Sequence, residues 1–372
     1  MQIDAYVVDA IDAPFVREDL TLDDPGPGEI LVRVVGTGVC HTDLNTQGGD
    51  MPLPLPGVLG HEGSGVVEVV GEGVDNVAPG DHVIMGWPYC GTCRNCVRGQ
   101  HRYCVNIGAE LLAGVRLHGA DAGSSAYTRA DGSSLSGHFF GQSSFATYSL
   151  TRANAVVKVD KDVDLTLLGP LACGITTGAG AIFSTAQPGP GESVVIIGAG
   201  AVGLAAVMAA RNTPAATIVA VDLQDNRLEL ATELGATHTI NSGDTDMLDA
   251  ISEICGGPAD YVLDCTGNIK VIEQAADAVG LLGTVILVGG APAEARFSVD
   301  HMRTLFGKTI VGTLGGSSTS HELIPGLIKL HQAGRFPFDR LVTVYDFDEI
   351  DTAIHDAHEG GTIKAVLRVS DV

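Results

Sequence analysis

The sequence predicts an α/β protein in which a mainly β domain carrying metal sites accompanies a doubly wound parallel sheet. The chain has 372 residues, which is long for a single hydrophobic core, so two domains are expected. Short β-branched runs between Pro/Gly turns dominate its first part, whereas strand and helix patterns alternate from Ser193 onward. We therefore assign residues 1–173 and 313–372 to the β domain and residues 174–312 to the α/β domain.

The N-terminal part contains β-branched runs with two metal-ligating residue types between them. The runs are residues 5–8, 29–35, 65–70 and 81–84. Cys40 and His61 stand between the second and third runs, and a thiolate and an imidazole are ligands that zinc prefers. We expect both residues on loops that project from an all-β body.

A third ligand for this site has to come from elsewhere in the chain, and Cys173 is the best candidate. It follows Gly169-Pro170-Leu171-Ala172, just before the α/β segment. Two sulfurs and one nitrogen would leave the fourth tetrahedral position open for water or substrate, as in catalytic zinc sites. The alternative for any one of these residues is a small buried cysteine or a hydrogen-bonded core histidine.

Four further cysteines form the most specific local pattern in the chain. Cys90, Cys93, Cys96 and Cys104 are separated by two, two and seven residues. Four thiolates on one short lobe close a tetrahedral shell, which predicts a structural zinc site. An iron–sulfur cluster is the rival hypothesis, but its typical motif continues with three residues and then Cys-Pro.

A Gly/Ser/Ala-rich stretch and an aromatic run follow this lobe. We predict residues 108–137 to be a long loop over the site, because Gly-Ser and Asp-Gly turns punctuate it. Phe139 and Phe140 then open a cluster of rings in a chain with only 5% aromatic residues. These rings either line a substrate pocket or fill the core.

A G-x-G-x-x-G turn formed by Gly198, Gly200, Val202 and Gly203 stands between a buried strand pattern and an Ala-rich helix pattern. Its glycines allow a pyrophosphate to approach a helix N-terminus, which indicates a Rossmann-type dinucleotide site. A second strand ends at Asp222, 19 residues after Gly203. An acid there binds an adenosine ribose and repels a 2′-phosphate, which favours NAD. Arg227 could reach the same ribose or tolerate a phosphate, so NADP stays open.

The rest of the chain completes both domains. Alternating strand and helix patterns cover residues 260–264, 269–279, 283–289 and 309–314, which is typical of a doubly wound sheet. A helix over 321–333 and a strand over 363–369 return to the first domain.

The charge balance restricts the partners and the compartment. The chain has 45 acidic and 21 basic residues, only six of them Lys, for a net charge of −24. Such a surface repels phosphate backbones and anionic membranes, which argues against nucleic acid and membrane partners. An acidic, Lys-poor surface is typical of proteins from the salt-loaded cytoplasm of a halophile. The alternative is an ordinary acidic mesophilic enzyme. Residues 1–11 show no secretion signal, so we expect a cytoplasmic protein.

These motifs together resemble the zinc-dependent medium-chain alcohol dehydrogenases along essentially the whole chain. Gly60-His61-Glu62, Gly65, Gly71 and Val74 match the family's zinc signature, and the four-Cys lobe, Cys173 and the glycine turn follow in the family's order. The segments 139–148 and 168–174 are most similar to aryl-alcohol (benzyl alcohol) dehydrogenases. The resemblance implies a GroES-like catalytic domain, two zinc ions per chain and a homodimer or homotetramer, through the sheet edge near residues 309–313.

The resemblance also implies roles for residues around the catalytic zinc. Glu62 would be a near neighbour or exchangeable ligand, and Asp43 would orient His61. Thr42 would take the proton of the substrate hydroxyl. Some members end this relay at a histidine three residues later, where this chain has Asn45, so the proton would leave through water or His41.

For the cofactor and substrate, the resemblance implies contacts from both domains. Thr177 would pack near the nicotinamide, and Val288 would offer its backbone to the carboxamide. His41 and Lys364 would face the pyrophosphate, although Lys364 could equally be a surface lysine. Trp87, Phe139 and Phe140 would line an apolar pocket for aromatic or allylic primary alcohols.

The predicted function is interconversion of such alcohols and aldehydes by hydride transfer to and from NAD, at a zinc ion that lowers the pKa of the alcohol. Two alternatives remain. The first is an S-(hydroxymethyl)glutathione or polyol dehydrogenase of the same fold. The second is a nonenzymatic zinc- and nucleotide-binding sensor.

Overall fold

A computed structural model describes all residues from Met1 to Val372, and the chain divides into two compact units. The first unit comprises Met1–Cys173, Thr319–Pro325 and Asp339–Val372, and the second comprises Gly174–Ser318 and Gly326–Phe338. Residues 313–318 and 326–338, which we assigned to the first domain from the sequence, pack with the second unit. Residues 313–318 pack there because the backbones of Gly316 and Gly180 lie so close together that neither position has room for a Cβ.

The chain contains eighteen strands and twelve α-helices, joined by several short 3₁₀ or π turns. The strands are β1 (Gln2–Val8), β2 (Val16–Leu22), β3 (Glu29–Gly38), β4 (Gly57–Val58), β5 (Gly63–Val70), β6 (His82–Met85), β7 (Tyr127–Thr128), β8 (Ser134–Leu135), β9 (Tyr148–Arg152), β10 (Val156–Val159), β11 (Ser193–Ile197), β12 (Thr217–Asp222), β13 (His238–Asn241), β14 (Ala259–Asp264), β15 (Val279–Leu287), β16 (Thr309–Gly312), β17 (Val342–Asp346) and β18 (Lys364–Arg368). The helices are α1 (His41–Gln47), α2 (Arg94–Val97), α3 (Ile107–Leu112), α4 (Leu165–Leu168), α5 (Gly174–Gly180), α6 (Ala201–Arg211), α7 (Asp225–Leu234), α8 (Met247–Cys255), α9 (Ile269–Ala278), α10 (His301–Leu305), α11 (Ser320–Gln332) and α12 (Ile350–His358).

Two mainly antiparallel sheets form the first unit. One has the order β4-β1-β2-β7-β8, and the other has the order β10-β6-β5-β3-β18-β17, with β9 also paired to β3. Strand β3 is buried along almost its whole length because other strands pair with it on both sides. Its Val, Ile and Leu side chains are those expected of a central strand.

The pairing of β3 determines where the candidate site forms. At its C-terminal end, the Gly38 N–H donates to the Glu62 carbonyl and the Val39 N–H donates to the Ala365 carbonyl, both at 2.9 Å. The end of β3 and the starts of β5 and β18 therefore meet at one end of the sheet. Cys40 follows β3, His61 precedes β5, and β18 begins with Lys364.

Two segments that we predicted to be loops contain regular structure. Cys40 is the N-cap of α1, and a helix of seven residues is too short to give a clear 3.6-residue period. Residues 108–137 include most of α3 and the hairpin β7–β8. The hairpin extends the first sheet through β2, and Tyr127 and Leu135 are buried there.

The second unit is a six-stranded parallel sheet with the order β13-β12-β11-β14-β15-β16. The chain starts in the middle with β11, builds outward in one direction, and then returns to build the other half, as in a doubly wound fold. Strand β11 is buried throughout, because helices cover such a sheet on both faces.

Three helices of the second unit, α8, α9 and α10, begin at side-chain caps. Asp246 accepts the Leu248 and Asp249 N–H groups at the start of α8, and Asn268 does the same for Lys270 and Val271 at the start of α9. Taken singly, none of the helices has both the length and the apolar composition of a membrane span. One bent pair of helices has them only when its two parts are counted together.

Candidate functional site

Four residues from three distant parts of the sequence meet at the end of β3. The ligand atoms of Cys40, His61, Glu62 and Cys173 all lie within 4.8 Å of one another. His61, Glu62 and Cys173 are buried, and Cys40 is half-buried at the N-cap of α1. Two thiols, an imidazole and a carboxylate are a ligand set that suits zinc.

Asp43 orients the imidazole of His61 for metal coordination. Nδ1 of the imidazole lies 3.0 Å from Oδ1 of Asp43, so Nδ1 carries the hydrogen and Nε2 is left with its lone pair. Nε2 is buried and has no hydrogen-bond partner, which is costly without a further ligand such as a metal ion. The residues present therefore fit a zinc ion.

Asp43 also fixes the backbone around both candidate ligands. Its Oδ2 accepts the Cys40 N–H and its Oδ1 accepts the Gly60 N–H, each at 3.0 Å. The carboxylate is fully buried, so these bonds are sheltered from water. Asp43 thus holds Cys40 and His61 in one frame, as the predicted orienting role requires.

Hydrogen bonding, burial and nearby charge shift the pKa values of three residues in the cluster. A hydrogen bond from Cys173 holds the pKa of the Cys40 thiol well below its usual value, and the same bond raises the pKa of Cys173 well above it. Burial lowers the pKa of His61, but the negative charge of Asp43 outweighs it and the pKa lies well above the ordinary value. A bound cation would neutralise this charge and deprotonate both thiols.

Lys364 lies beside this cluster, at the start of β18. Its Nζ is 3.0 Å from Oε2 of Glu62 and donates to the Val39 carbonyl at 3.0 Å, and the residue is 4% exposed. Burial raises the pKa of Glu62 to about 7, against the opposing charge of Lys364. Lys364 is therefore not a surface lysine. Its contact is with Glu62, whereas its role toward a pyrophosphate stays a prediction.

Helix α1 carries the residues of the predicted proton path. The Thr42 hydroxyl lies 3.8 Å from Sγ of Cys40 and is half-buried. His41 and Asn45 are both exposed, and their spacing of four residues puts them on one face of the helix. The predicted exit of the proton, through water or His41, would lie at this exposed face.

The predicted pocket rings pack against the imidazole of His61. The Phe140 ring lies 4.6 Å from it and the Phe139 ring 5.6 Å, measured between centroids, and Trp87 lies 5.1 Å from Phe140. Phe139 has no exposed surface, so its place is in the core behind His61. Phe140 is nearly buried, and Trp87 is partly exposed.

Gln142 is a positioning residue that sequence reasoning missed. Its side-chain Oε1 accepts the Gly63 N–H, and its Nε2 donates to the His61 and Met85 carbonyls, each at 2.9 Å. The Gln142 amide therefore holds the backbone at His61 and at Gly63, on either side of Glu62. No local pattern could have found it, because its partners are 57 to 81 residues away in the chain.

The segment that carries Gln142 has an unusual backbone. His138, Phe140 and Ser143 all have left-handed conformations, with φ of 55°, 50° and 51°. Each such conformation costs about 1–3 kcal/mol in a non-glycine residue and persists only when its surroundings enforce it. Here Ser143 Oγ accepts the Phe139 N–H and donates to the Val58 carbonyl, which fixes the turn.

We expect Gln142→Leu to lower the free energy of unfolding by about 2–5 kcal/mol, because three buried backbone groups lose their partners. Chemical denaturation of the zinc-loaded protein measures this. Gln332→Leu is the matched control, since Gln332 is exposed at the end of α11 and should change stability by no more than about 0.5 kcal/mol. Equal stability of the two variants would contradict the assigned role.

The second metal candidate is the lobe around α2. Sγ atoms of Cys90, Cys93, Cys96 and Cys104 lie within 4.8 Å of one another, and none forms a disulfide. Backbone N–H groups of Val105 and Cys96 lower the pKa of Cys93 to about 6, which favours the thiolate. Four thiols without any other ligand type fit a closed, structural zinc shell.

The glycine turn of the second unit lies between β11 and α6. Gly198 has φ of +96°, and a Cβ on Gly203 would clash with the Gly198 carbonyl at 1.8 Å, so both positions require glycine. A Cβ on Gly200, the N-cap of α6, would meet no protein atom within 4 Å. This open space above a helix N-terminus fits a pyrophosphate, and Val202 lies in the first turn of that helix.

Asp222 stands at the end of β12, beside this turn. Its carboxylate accepts the Ala199 N–H at 2.6 Å and two further backbone N–H groups. Arg227 lies in α7 with its Nε buried and unpaired. Thr177 lies in α5, and the Val288 N–H donates to the Asp264 carbonyl at 2.9 Å, so only its carbonyl stays available.

Comparison with known families matches each part of the chain separately. Residues 26–161 match the alcohol dehydrogenase GroES-like domain, and residues 201–333 match the zinc-binding dehydrogenase domain. The predicted fold class, a GroES-like domain with a Rossmann sheet, is confirmed.

Relatives match over almost the whole chain. Geraniol dehydrogenase of Castellaniella defragrans is 40% identical over 98% of this chain and 96% of its own length. An S-(hydroxymethyl)glutathione dehydrogenase of Escherichia coli is 34% identical over 99% of this chain and 100% of its own. The crystal structure of benzyl alcohol dehydrogenase from Acinetobacter calcoaceticus is 43% identical with a TM-score of 0.95, covering 100% of both chains. This chain therefore belongs to the zinc-dependent medium-chain alcohol dehydrogenase family.

Proposed function

We propose that this protein interconverts primary aromatic or allylic alcohols and their aldehydes, with NAD as the hydride carrier. The observation that carries the proposal is the cluster of Cys40, His61 and Cys173, whose ligand atoms lie within 4.8 Å of one another. The glycine turn at Gly198 supports a dinucleotide partner. Relatives named geraniol dehydrogenase and benzyl alcohol dehydrogenase support the substrate class.

Cys40, His61 and Cys173 would hold the zinc ion, with Glu62 as a neighbouring or exchangeable ligand. Zinc held there supplies Lewis acidity at the alcohol oxygen, and NAD accepts the hydride. Asp43 keeps the imidazole in the tautomer that leaves Nε2 free. Lys364 forms an ion pair of 3.0 Å with the buried carboxylate of Glu62.

Thr42 would receive the proton of the substrate hydroxyl, because its own hydroxyl lies next to Sγ of Cys40. An amide does not titrate near neutral pH, so Asn45 cannot pass that proton on. The proton would leave through water or through His41 on the exposed face of α1.

NAD is the proposed cofactor because the Asp222 carboxylate would repel the 2′-phosphate of NADP. We expect Asp222→Asn to raise the ratio of kcat/KM with NADP to kcat/KM with NAD by about tenfold or more, since one negative charge is removed. Asp249→Asn removes the same charge from an exposed position on α8 and should leave the ratio unchanged. An equal ratio in both variants would assign the discrimination to another residue.

A substrate panel tests the proposed function. Benzyl alcohol, geraniol, ethanol, a polyol and S-(hydroxymethyl)glutathione are compared by NAD reduction, in dilute buffer and in molar KCl because of the acidic surface. We expect the first two to have the highest kcat/KM. A preference for the glutathione adduct would support the second candidate, which relatives at 34% identity favour. No NAD reduction with any alcohol would support a nonenzymatic sensor.

We also propose a homodimer or homotetramer that pairs through β16, the last strand of the parallel sheet. Its outer edge has no partner strand, and exposed apolar side chains lie nearby, including Leu282, Met302 and Phe306. A mass equal to one chain, measured by light scattering, would contradict this.

A further inference from the structure

Arg102 is a buried guanidinium with unused hydrogen-bond donors. It lies in the turn His101–Tyr103 of the cysteine lobe and is 4% exposed. Its Nη2 donates to Ser320 Oγ at 2.9 Å, whereas Nε and Nη1 have no partner. The chain has 45 acidic residues, yet none forms an ion pair with this arginine.

Such a group is expensive to keep inside a protein. A buried charge without compensating partners costs several kcal/mol, and proteins normally pair it with a carboxylate. Arg116 shows the normal case in the same unit: it is equally buried and donates to Asp23, Glu29 and the Asp24 carbonyl. The unpaired donors of Arg102 therefore point to a partner from outside the chain.

The position of Arg102 indicates which partner. Its guanidinium carbon lies 4.3 Å from the centroid of the Trp87 ring. Between ring centroids, Trp87 lies 5.1 Å from Phe140, and Phe140 lies 4.6 Å from His61. Contact with the face of the Trp87 ring uses none of the N–H groups as a conventional donor, and Nε and Nη1 stay without a partner. The rings thus form a continuous series from the candidate zinc ligand to a cation.

Arg102 is both charged and immobilised. Its guanidinium stays protonated at neutral pH, as arginine does in proteins. It is fixed in place by Ser320 and Trp87 and does not have to be ordered when a ligand binds.

We propose that Arg102 is a specificity-determining residue that binds an oxygen acceptor, strongest when it is a carboxylate, on the ring of an aromatic alcohol substrate. This inference rests on the proposed function, because it takes the alcohol carbon to lie at the Cys40, His61 and Cys173 cluster. The favoured substrates are then benzyl alcohols with a carboxylate or hydroxyl on the ring, away from the carbinol. Plain alkyl-substituted benzyl alcohols leave the guanidinium unpaired.

The test compares the ortho, meta and para isomers of (hydroxymethyl)benzoate with the corresponding methylbenzyl alcohols, which have the same shape without the charge. For at least one isomer, we expect Arg102→Met to lower kcat/KM for the carboxylate relative to its methyl counterpart by about 10- to 100-fold, the usual effect of a hydrogen bond to a charged group. Arg102→Lys, which keeps the charge, should restore part of this ratio. An unchanged ratio for all isomers would overturn the proposal.

A stability measurement separates this role from a structural one. Because Nε and Nη1 of Arg102 have no partner in the protein and no carboxylate pairs with the charge, Arg102→Met should keep or raise the melting temperature of the ligand-free protein. Arg116→Met, which breaks the paired contacts, should lower it clearly. A comparable loss in both variants would show that Arg102 is a structural group. If no alcohol is oxidised at all, the proposed function fails, whereas oxidation without any carboxylate effect fails only this inference.

Discussion

Replacing Cys40 by serine is expected to lower kcat/KM for alcohol oxidation by at least about a thousandfold and to lower the zinc content by one ion per chain. A serine hydroxyl stays protonated near neutral pH and is a poor zinc ligand, whereas the thiolate binds zinc strongly. The remaining residues His61 and Cys173 would then hold the ion only with the help of Glu62. Steady-state kinetics and elemental analysis measure the two effects.

The control for this variant is Cys255→Ser. Cys255 is a free, half-buried cysteine at the end of α8, in the second unit, and belongs to neither cysteine cluster. Cys255→Ser should retain the zinc content and the turnover of the wild-type protein. The first unit of Cys40→Ser should stay folded, because its sheets do not depend on the thiol. Wild-type turnover in Cys40→Ser would remove the proposed mechanism.

The candidate metal ligands could be predicted because their chemistry is visible in the sequence. Cys40, His61 and Cys173 are ligand types, and the order of motifs resembles a known family. Cys40 and His61 converge because β3 pairs with β5. Cys173 joins them because the turn Gly169–Ala172 packs on the Glu62 carbonyl, so closely that no Cβ would fit at Gly169. No local pattern reveals either contact. The sequence predicted that these residues belong together, and the sheet explains how.

The contacts that support the ligands could not be predicted. Lys364 and Glu62 are 302 residues apart, and a lysine in a short final strand gives no sign of burial or of a partner. Gln142 lies in a run whose aromatic residues dominate the pattern, and its backbone partners have no side-chain signal. Polar groups that satisfy one another across a fold depend on tertiary geometry, whereas periodicity reports only local structure.

The cysteine lobe should lose its structure when Cys96 is replaced by serine. The lobe has only the four residues of α2 and one 3₁₀ turn, and Val97 and Val105 are exposed, so little apolar burial holds it together. A structural zinc ion can contribute on the order of 10 kcal/mol to the folding of such a module. We expect Cys96→Ser to lower the melting temperature by about 10 °C and to lose one zinc ion per chain.

Limited proteolysis shows where the loss occurs. Arg94 and Arg98 flank Cys96, so trypsin should cut the variant between Cys90 and Cys104 much faster than the wild-type protein. Both Cys96→Ser and Cys40→Ser should lose one zinc ion. Only Cys96→Ser should become sensitive to trypsin between Cys90 and Cys104, and only Cys40→Ser should lose turnover without losing stability. If Cys96→Ser stays stable and resistant to trypsin, the lobe is held by its own contacts and the four-cysteine cluster is not a structural zinc site.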